Sequence, residues 1–216
     1  QGQPVNGGAV AVIAPGTGLG QAFLVRHRGR MVSFPSEGGH SSFAPVNDQQ
    51  VRLLRFMSDS LDHVSFEQVC SGIGIPRLYD FLRAEQGEKT GDPLLPGEGG
   101  DRTRMIVEAA VQAAEKDPGG NRTAAAALEL FVAILASESA NLVLKVLGLG
   151  GLFIGGGLPP RILPFLTTES FMPFFCRGGY RDMLAQIPVK VILEPETALI
   201  GAAAYAMEQA GLGEGR

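Results

Sequence analysis

Two hydrophobic rhythms divide the chain. Over residues 9–34, short β-rich runs alternate with turn residues: 9–14 (AVAVIA), 21–26 (QAFLVR) and 31–34 each have the length and composition of a strand. Pro15 and the cluster Gly16-Thr17-Gly18-Leu19-Gly20 separate the first pair, and Arg28-Gly29 the second. The spacing predicts an antiparallel meander, not a strand followed by a helix.

Beyond residue 45 the period becomes helical. Asn47 followed by Gln50 predicts a capped helix start, with Val51, Leu54, Met57 and Leu61 on one face. Ser65-Phe66-Glu67-Gln68 is a second capping-box pattern, which puts Glu67 in the first turn of a short helix. Gly72 and Gly74 end that helix, and Pro76 opens the next, through about Leu82. Residues 85–100, rich in Gly, Pro and charge without apolar period, predict a mobile loop. Residues 103–115 predict a helix, Asp117-Pro118-Gly119-Gly120 a turn, and 123–147 a long Ala-rich helix central to the core. Then come a short buried strand entering three glycines (150–157, GGLFIGGG), helix starts at 159–166 and 180–186, a strand at 189–193 and a last helix at 198–209. Strands first, then helices, then strand–helix alternation predict a mixed α/β domain.

Composition narrows the class. With 18 Lys and Arg against 22 Asp and Glu, the net charge is −4, without the basic footprint of a nucleic-acid binder. Two distant cysteines, Cys70 and Cys176, argue against a disulfide framework or a Cys-rich zinc site and for a reduced, cytoplasmic setting. The most apolar stretch, 128–152, is interrupted by Glu129, Glu138, Asn141, Lys145 and glycines, so no membrane span is expected. The N-terminus has no signal-peptide pattern, and it begins at Gln1 rather than methionine, so part of a longer protein is expected.

The chain's 30 glycines cluster where chemistry is plausible. Gly16, Thr17 and Gly18 bring backbone N–H groups and a hydroxyl to a turn, as phosphate binding requires, although a plain hairpin turn has the same pattern. No Lys-Ser/Thr follows, and a strand rather than a helix comes next, so neither a P-loop nor a Rossmann fingerprint fits. Glu37-Gly38-Gly39-His40 presents a carboxylate and an imidazole suited to sugar hydroxyls; a polar surface loop is the plainer alternative. Glu67 taken alone reads as a structural acid complementing a helix dipole. Gly155, Gly156 and Gly157, after a strand and before Pro159, fit a nucleotide lying on bare backbone; a tight turn is the alternative. Gly156→Val is expected to weaken nucleotide binding with the fold kept.

In order, these segments resemble the C-terminal, larger domain of bacterial glucokinases of the hexokinase and actin-like ATPase superfamily. VAVIAPGTGLGQAFLV is similar to the family's second phosphate motif, FPSEGGHSSFAP to its sugar loop, and HVSFEQVCSGIGIPRLYDFL to the segment supplying a further sugar-binding carboxylate. GGLFIGGGLPPRI resembles the adenosine motif, and PETALIGAAAYA the segment that crosses between domains. The resemblance implies a ribonuclease H-like (actin-like ATPase) α/β fold, a mixed sheet with flanking helices. It implies glucose contacts from Glu37, His40 and Glu67, and nucleotide contacts from Gly16, Thr17, Gly18, Gly155, Gly156 and Gly157. It also implies ATP as phosphoryl donor, with Mg²⁺, to the glucose 6-hydroxyl. The repressor and sugar-kinase group carries a Cys-rich zinc cluster after its E-x-G-H motif; here SSFAPVNDQQ follows His40, so the non-zinc group fits better.

The family's smaller N-terminal domain, with its first phosphate motif and its Asn-Asp pair supplying the catalytic base, has no counterpart here. The expected organisation is a large sugar- and nucleotide-binding domain over residues 1–194 and a crossing helix over 195–216 that packs on the absent small domain. No catalytic residue or metal ligand is assigned within the chain. A kinase for another hexose, a non-catalytic sugar-binding module and an actin-like ATPase without a sugar remain alternatives. Glucose and ATP are the expected partners, without nucleic acid or membrane, and a homodimer is left open.

Overall fold

The computed structural model describes residues 2–88, 91–97, 99–115 and 121–210. The expected turn at 117–120, the end of the segment 195–216 and three positions of the loop 85–100 lie outside the described residues.

Three antiparallel strands open the fold: β1 (Val10–Pro15), β2 (Leu19–His27) and β3 (Arg30–Ser36). Burial alternates along β1, with Ala11, Ile13 and Pro15 turned inward, as the period of two requires. Arg28 and Gly29 both take positive φ (48° and 84°), which gives the β2–β3 turn the left-handed pair suited to a two-residue hairpin. β1 also pairs in parallel with β4 (Gly151–Ile154), and β4 with β5 (Val189–Val191). The result is one mixed sheet in the order β3-β2-β1-β4-β5. Ile13 lies opposite Ile154, so the two glycine clusters leave adjacent parallel strands at the same end of the sheet. That is the place where open α/β sheets leave a crevice for ligands.

Between β3 and β4 lie α1 (Asp48–Ser58), α2 (Phe66–Val69), α3 (Gly74–Glu85), α4 (Arg102–Glu115) and α5 (Arg122–Val146). Asn47 caps α1 by accepting the Gln50 N–H at 2.9 Å. The helix buries Gln50, Leu53 and Met57 and stops before Leu61, so its inner face is turned about one residue from the predicted one. Ser65 makes no side-chain cap for α2; Gln68 pairs with Arg77 instead. α3 begins at Gly74, two residues before the proline expected to open it.

α5 is the core helix. It packs on α3, α4 and α6 and reaches the sheet at β1. Its length and apolarity would suit a membrane, but 83% of its most apolar window is buried inside the domain. Ile13, Leu53, Phe66, Phe81 and Phe175, with Leu128 and Phe131 of α5 itself, are among the fully buried side chains of this core. Each contributes roughly 1.5–3 kcal/mol of burial.

Further departures from the sequence expectation follow α3. α6 (Thr168–Phe175) was not predicted: Pro173 inside it reads as a breaker, yet Thr167 and Ser170 form a reciprocal capping box, and Phe171 and Phe175 bury one face. In the described part of the 85–100 loop, Asp92 joins the chain to α3 and α4. Asp92 bridges Arg83 (3.5 Å) and Arg102 (2.7 Å), Arg102 also grips Asp80, and Leu94 N–H donates to Asp92 at 2.9 Å. After a 3-10 stretch (Pro159–Phe165), α6 and α7 (Arg181–Ala185), the chain ends in α8 (Thr197–Gln209). No residue of α8 is buried, and Leu199, Ile200, Tyr205 and Met207 are all more than half exposed.

Candidate functional site

The β1–β2 turn is held from behind. Pro15 pairs with Leu19 across it, and Gly16 N–H closes on Gly18 C=O at 2.9 Å. Gly72 N–H donates to Gly16 C=O at 2.7 Å, Ile73 N–H to Thr17 C=O at 3.3 Å, and Leu158 N–H to Pro15 C=O at 3.3 Å. Thr103 Oγ1 holds Gly72 in turn, donating to its carbonyl at 2.7 Å. The turn's carbonyls are therefore spoken for. Among the described residues nothing takes the N–H of Thr17 or Gly18, and these donors suit an anion.

A cleft of about 400 Å³ opens beside the turn, lined by Gly16, Thr17, Gly72, Ile73, Asp101, Thr103, Gly157, Leu158 and Arg161. It adjoins a second hollow of about 460 Å³ that shares Asp101, Thr103, Leu158 and Arg161 and runs along Val107 and Val111 of α4. The two predicted glycine clusters thus share one cavity, through Gly16, Thr17 and Gly157. Gly155 is buried and donates to Ile13 C=O at 2.9 Å. Gly156 has φ +89°, and a Cβ there would lie 2.5 Å from Pro15 O. Its role in the turn is thus steric, and the expectation that Gly156→Val would keep the fold is corrected. Gly157, with open space around it, is the glycine that faces the cleft freely. Asp101, Thr103 and Arg161 carry no role in the sequence reading, where Thr103 only starts a helix and Arg161 only lies within the segment 159–166.

The two loops expected to hold a sugar meet through the backbone. Ser42 and Ser65 form a β-bridge, Phe43 N–H donates to Val64 C=O at 2.8 Å, and Phe66 N–H to Ser41 C=O at 3.0 Å. This pairing brings three side chains together. His40 Nδ1 stands 3.9 Å from Glu67 Oε1, and His40 Nε2 stands 3.9 Å from Glu37 Oε2. Both gaps exceed hydrogen-bond length, so the polar atoms retain capacity for a ligand. Glu37 and His40 are 91% and 62% exposed, whereas Glu67 keeps 19%. Glu67 is fixed at its other oxygen, since Leu19 N–H donates to Oε2 at 2.9 Å. A side chain on Gly18 would collide with that oxygen.

The phosphate-type turn and the carboxylate group are therefore contiguous: Thr17 and Gly18 offer N–H groups, and the next residue is bonded to Glu67. Among the described residues, no three His, Cys, Asp or Glu side chains gather to hold a metal unaided. Asp101 on the cleft wall is a single carboxylate, which fits Mg²⁺ carried mainly by phosphates and water.

A mixed sheet in this order, with a glycine turn and a crevice beyond adjacent parallel strands, defines an α/β domain of the ribonuclease H-like, actin-like ATPase type. A glucokinase family model matches residues 1–209. The glucokinase of Nostoc sp. (strain PCC 7120 / SAG 25.82 / UTEX 2576) is 40% identical over 218 residues, covering 90% of this chain and 59% of the relative. A crystal structure of glucokinase from an Antarctic psychrotroph aligns with TM-score 0.79 at 33% identity, covering 96% of this chain and 61% of that one. Glucokinase from Balamuthia mandrillaris, solved in complex with glucose, aligns with TM-score 0.74 at 25% identity over 88% of this chain and 51% of that one. The chain belongs to the glucokinase family. It spans 59% of the length of that Nostoc relative.

Proposed function

We propose that this chain is the sugar- and nucleotide-binding part of an ATP-dependent glucokinase, which transfers the γ-phosphoryl group to the 6-hydroxyl of glucose. The observation that carries the reading is the bond from Leu19 N–H to Glu67 Oε2, which sets the free donors of Thr17 and Gly18 beside the cluster of Glu37, His40 and Glu67.

In this reading the three side chains take sugar hydroxyls, the carboxylates accepting and the imidazole fixing direction. Thr17 and Gly18 donate to the phosphates, and the adenosine lies along Gly157 and the hollow beside α4. Mg²⁺ held by the phosphates would neutralise their charge, with Asp101 as the nearby carboxylate. Positioning of this kind supplies much of the catalysis in phosphoryl transfer. No residue here is given the role of base; Glu37 and Glu67 are assigned to the sugar. The base would come from a small N-terminal domain on which α8, with its exposed Leu199 and Ile200, would pack. The cytoplasm is the proposed compartment, in keeping with the two buried free cysteines.

A coupled glucose-6-phosphate assay tests the reading. This 216-residue chain should be nearly inactive beside a chain that restores the upstream domain, since loss of a base alone costs about 10²–10⁴-fold. Equal turnover in both would place the base within this sequence; no turnover in either would remove the glucokinase reading.

A further inference from the structure

Beneath the sugar loop lies a carboxylate that the proposed reaction does not use. Glu138, midway along α5, is 0% exposed. Its oxygens are taken by amides: Gln21 Nε2 donates to Oε1 at 2.8 Å and Asn141 Nδ2 to Oε2 at 2.9 Å. Arg177 holds the far side of Asn141, its Nη2 donating to Oδ1 at 2.6 Å and to Ser137 C=O at 3.1 Å. Burial pushes the Glu138 carboxyl above the usual carboxylate range, opposed by the two amides, Lys145 and Arg177. Cys70, buried nearby, feels the Glu138 charge. A buried carboxylate lowers stability relative to an apolar side chain of the same size, so its presence needs a reason.

The reason lies in the direction it imposes. A carboxylate only accepts and a guanidinium only donates. Between them, Asn141 must turn its NH₂ to Glu138 and its oxygen to Arg177. Gln21 must likewise turn its NH₂ to Glu138, which sends Oε1 the other way, toward the loop. There it lies so close to Gly38 that any side chain on Gly38 would collide with it. Gln21 also sits opposite Ser36 in the β2–β3 register, and Ser36 Oγ accepts the Gly38 N–H at 3.0 Å. The loop that begins at Glu37 thus rests on an amide whose orientation is set from the core.

We propose that Glu138 is a positioning residue for the Glu37–His40 loop, acting through Gln21 and backed by Asn141 and Arg177. This rests on the sugar-binding reading of that loop. Glu138→Gln keeps the shape but supplies one acceptor where two were present. Because Arg177 fixes Asn141, the reversal falls on Gln21 and turns its NH₂ toward Gly38. Gln21→Met removes the link from the other end.

The test compares wild type, Glu138→Gln, Gln21→Met and the double variant in the 216-residue chain. The readouts are melting temperature, affinities for glucose and ADP, and backbone NMR shifts of Gly38, Gly39 and His40. Each single change should weaken glucose binding about tenfold, the effect of one lost hydrogen bond to a charged group. The loop amides should move, ADP affinity should stay within about twofold, and the double variant should be no worse than the worse single. Unmoved loop amides, fully additive losses, or ADP affinity falling in step with glucose would overturn the proposal. If Glu138→Gln does not fold, the loop amides and affinities of Gln21→Met decide alone. Amides that move in the variants, with a wild type that binds no glucose, would remove the sugar reading and keep the coupling. Bound glucose with unmoved amides would do the reverse.

Discussion

Gly18 leaves room for Glu67: the carboxylate occupies the space where any other residue at 18 would place its Cβ. The turn proposed for the nucleotide and the carboxylate proposed for the sugar are thereby fitted to each other. Gly18→Ala should displace Glu67 from the Leu19 N–H and from His40 together. A hydrogen bond to a charged group is worth about 1.5–3 kcal/mol, so glucose affinity should fall about 10- to 100-fold. Calorimetric titration checks this. Unchanged affinity would show that Glu67 has no part in the sugar site.

The glycines after β4 should separate by function. Gly156, at φ +89° and with Pro15 O 2.5 Å from its would-be Cβ, cannot take a side chain without backbone movement. Gly156→Val should destabilise the domain by about 1–3 kcal/mol from backbone strain, and by more where the turn cannot shift. Gly157 has open space, so Gly157→Val should melt within a degree or two of wild type yet lose nucleotide affinity. Thermal melts with ADP titrations distinguish the two; an intact nucleotide affinity in the Gly157 variant contradicts the placement of the adenosine.

Asp92 supplies an acid-sensitive tie. Burial pushes its carboxyl up, but the Leu94 N–H and Arg102, with Arg83, more than offset this and leave it below the usual range. A depressed folded-state value means that the stabilisation is complete above the usual carboxylate range. It is lost as pH falls through the lower folded value. At neutral pH Asp92→Asn should cost about 1–3 kcal/mol. That gap should close as wild type is acidified below pH of about 4. Chemical denaturation across pH measures it; a gap independent of pH would show that the ion pairs contribute little.

Leu199 offers a test of the domain arrangement. It is 68% exposed, so Leu199→Ser should change the stability of this chain by no more than about 0.5 kcal/mol. In a protein with the upstream domain restored, the same change should cost about 2 kcal/mol or more if that domain covers α8. Equal effects in the two would place α8 elsewhere.

Much of the architecture was legible because it is written locally. Alternating β-rich runs punctuated by Arg28-Gly29 and by the Gly16–Gly18 cluster can form little but a meander, and Asn47 with Gln50 marks a helix start unaided. The convergence of Glu37, His40 and Glu67 was expected only because two loops resembled a family pattern; no local rule joins residues 40 and 67. What escaped reading depends on distant partners. Glu138 looked like a break in an apolar run, since Gln21 is 117 positions away in sequence. The ion pairs of Asp92 escaped because its partners, Arg83 and Arg102, belong to two different helices. α6 was passed over, and its stability comes from its cap and from Phe171 and Phe175. The start of α3 was misplaced for a local reason: Gly74, read as ending the preceding helix, opens the next one, where it packs too closely on Val69 to admit a side chain.

The central claim is that Glu37, His40 and Glu67 form one glucose site on this chain. Its most direct measurement is calorimetric titration of glucose, with ADP present, into wild type, His40→Ala and Glu67→Gln. Saturable binding by wild type that weakens at least about tenfold in each variant, with melting temperatures held, is the predicted result. Glucose binding of equal strength in all three proteins would contradict it.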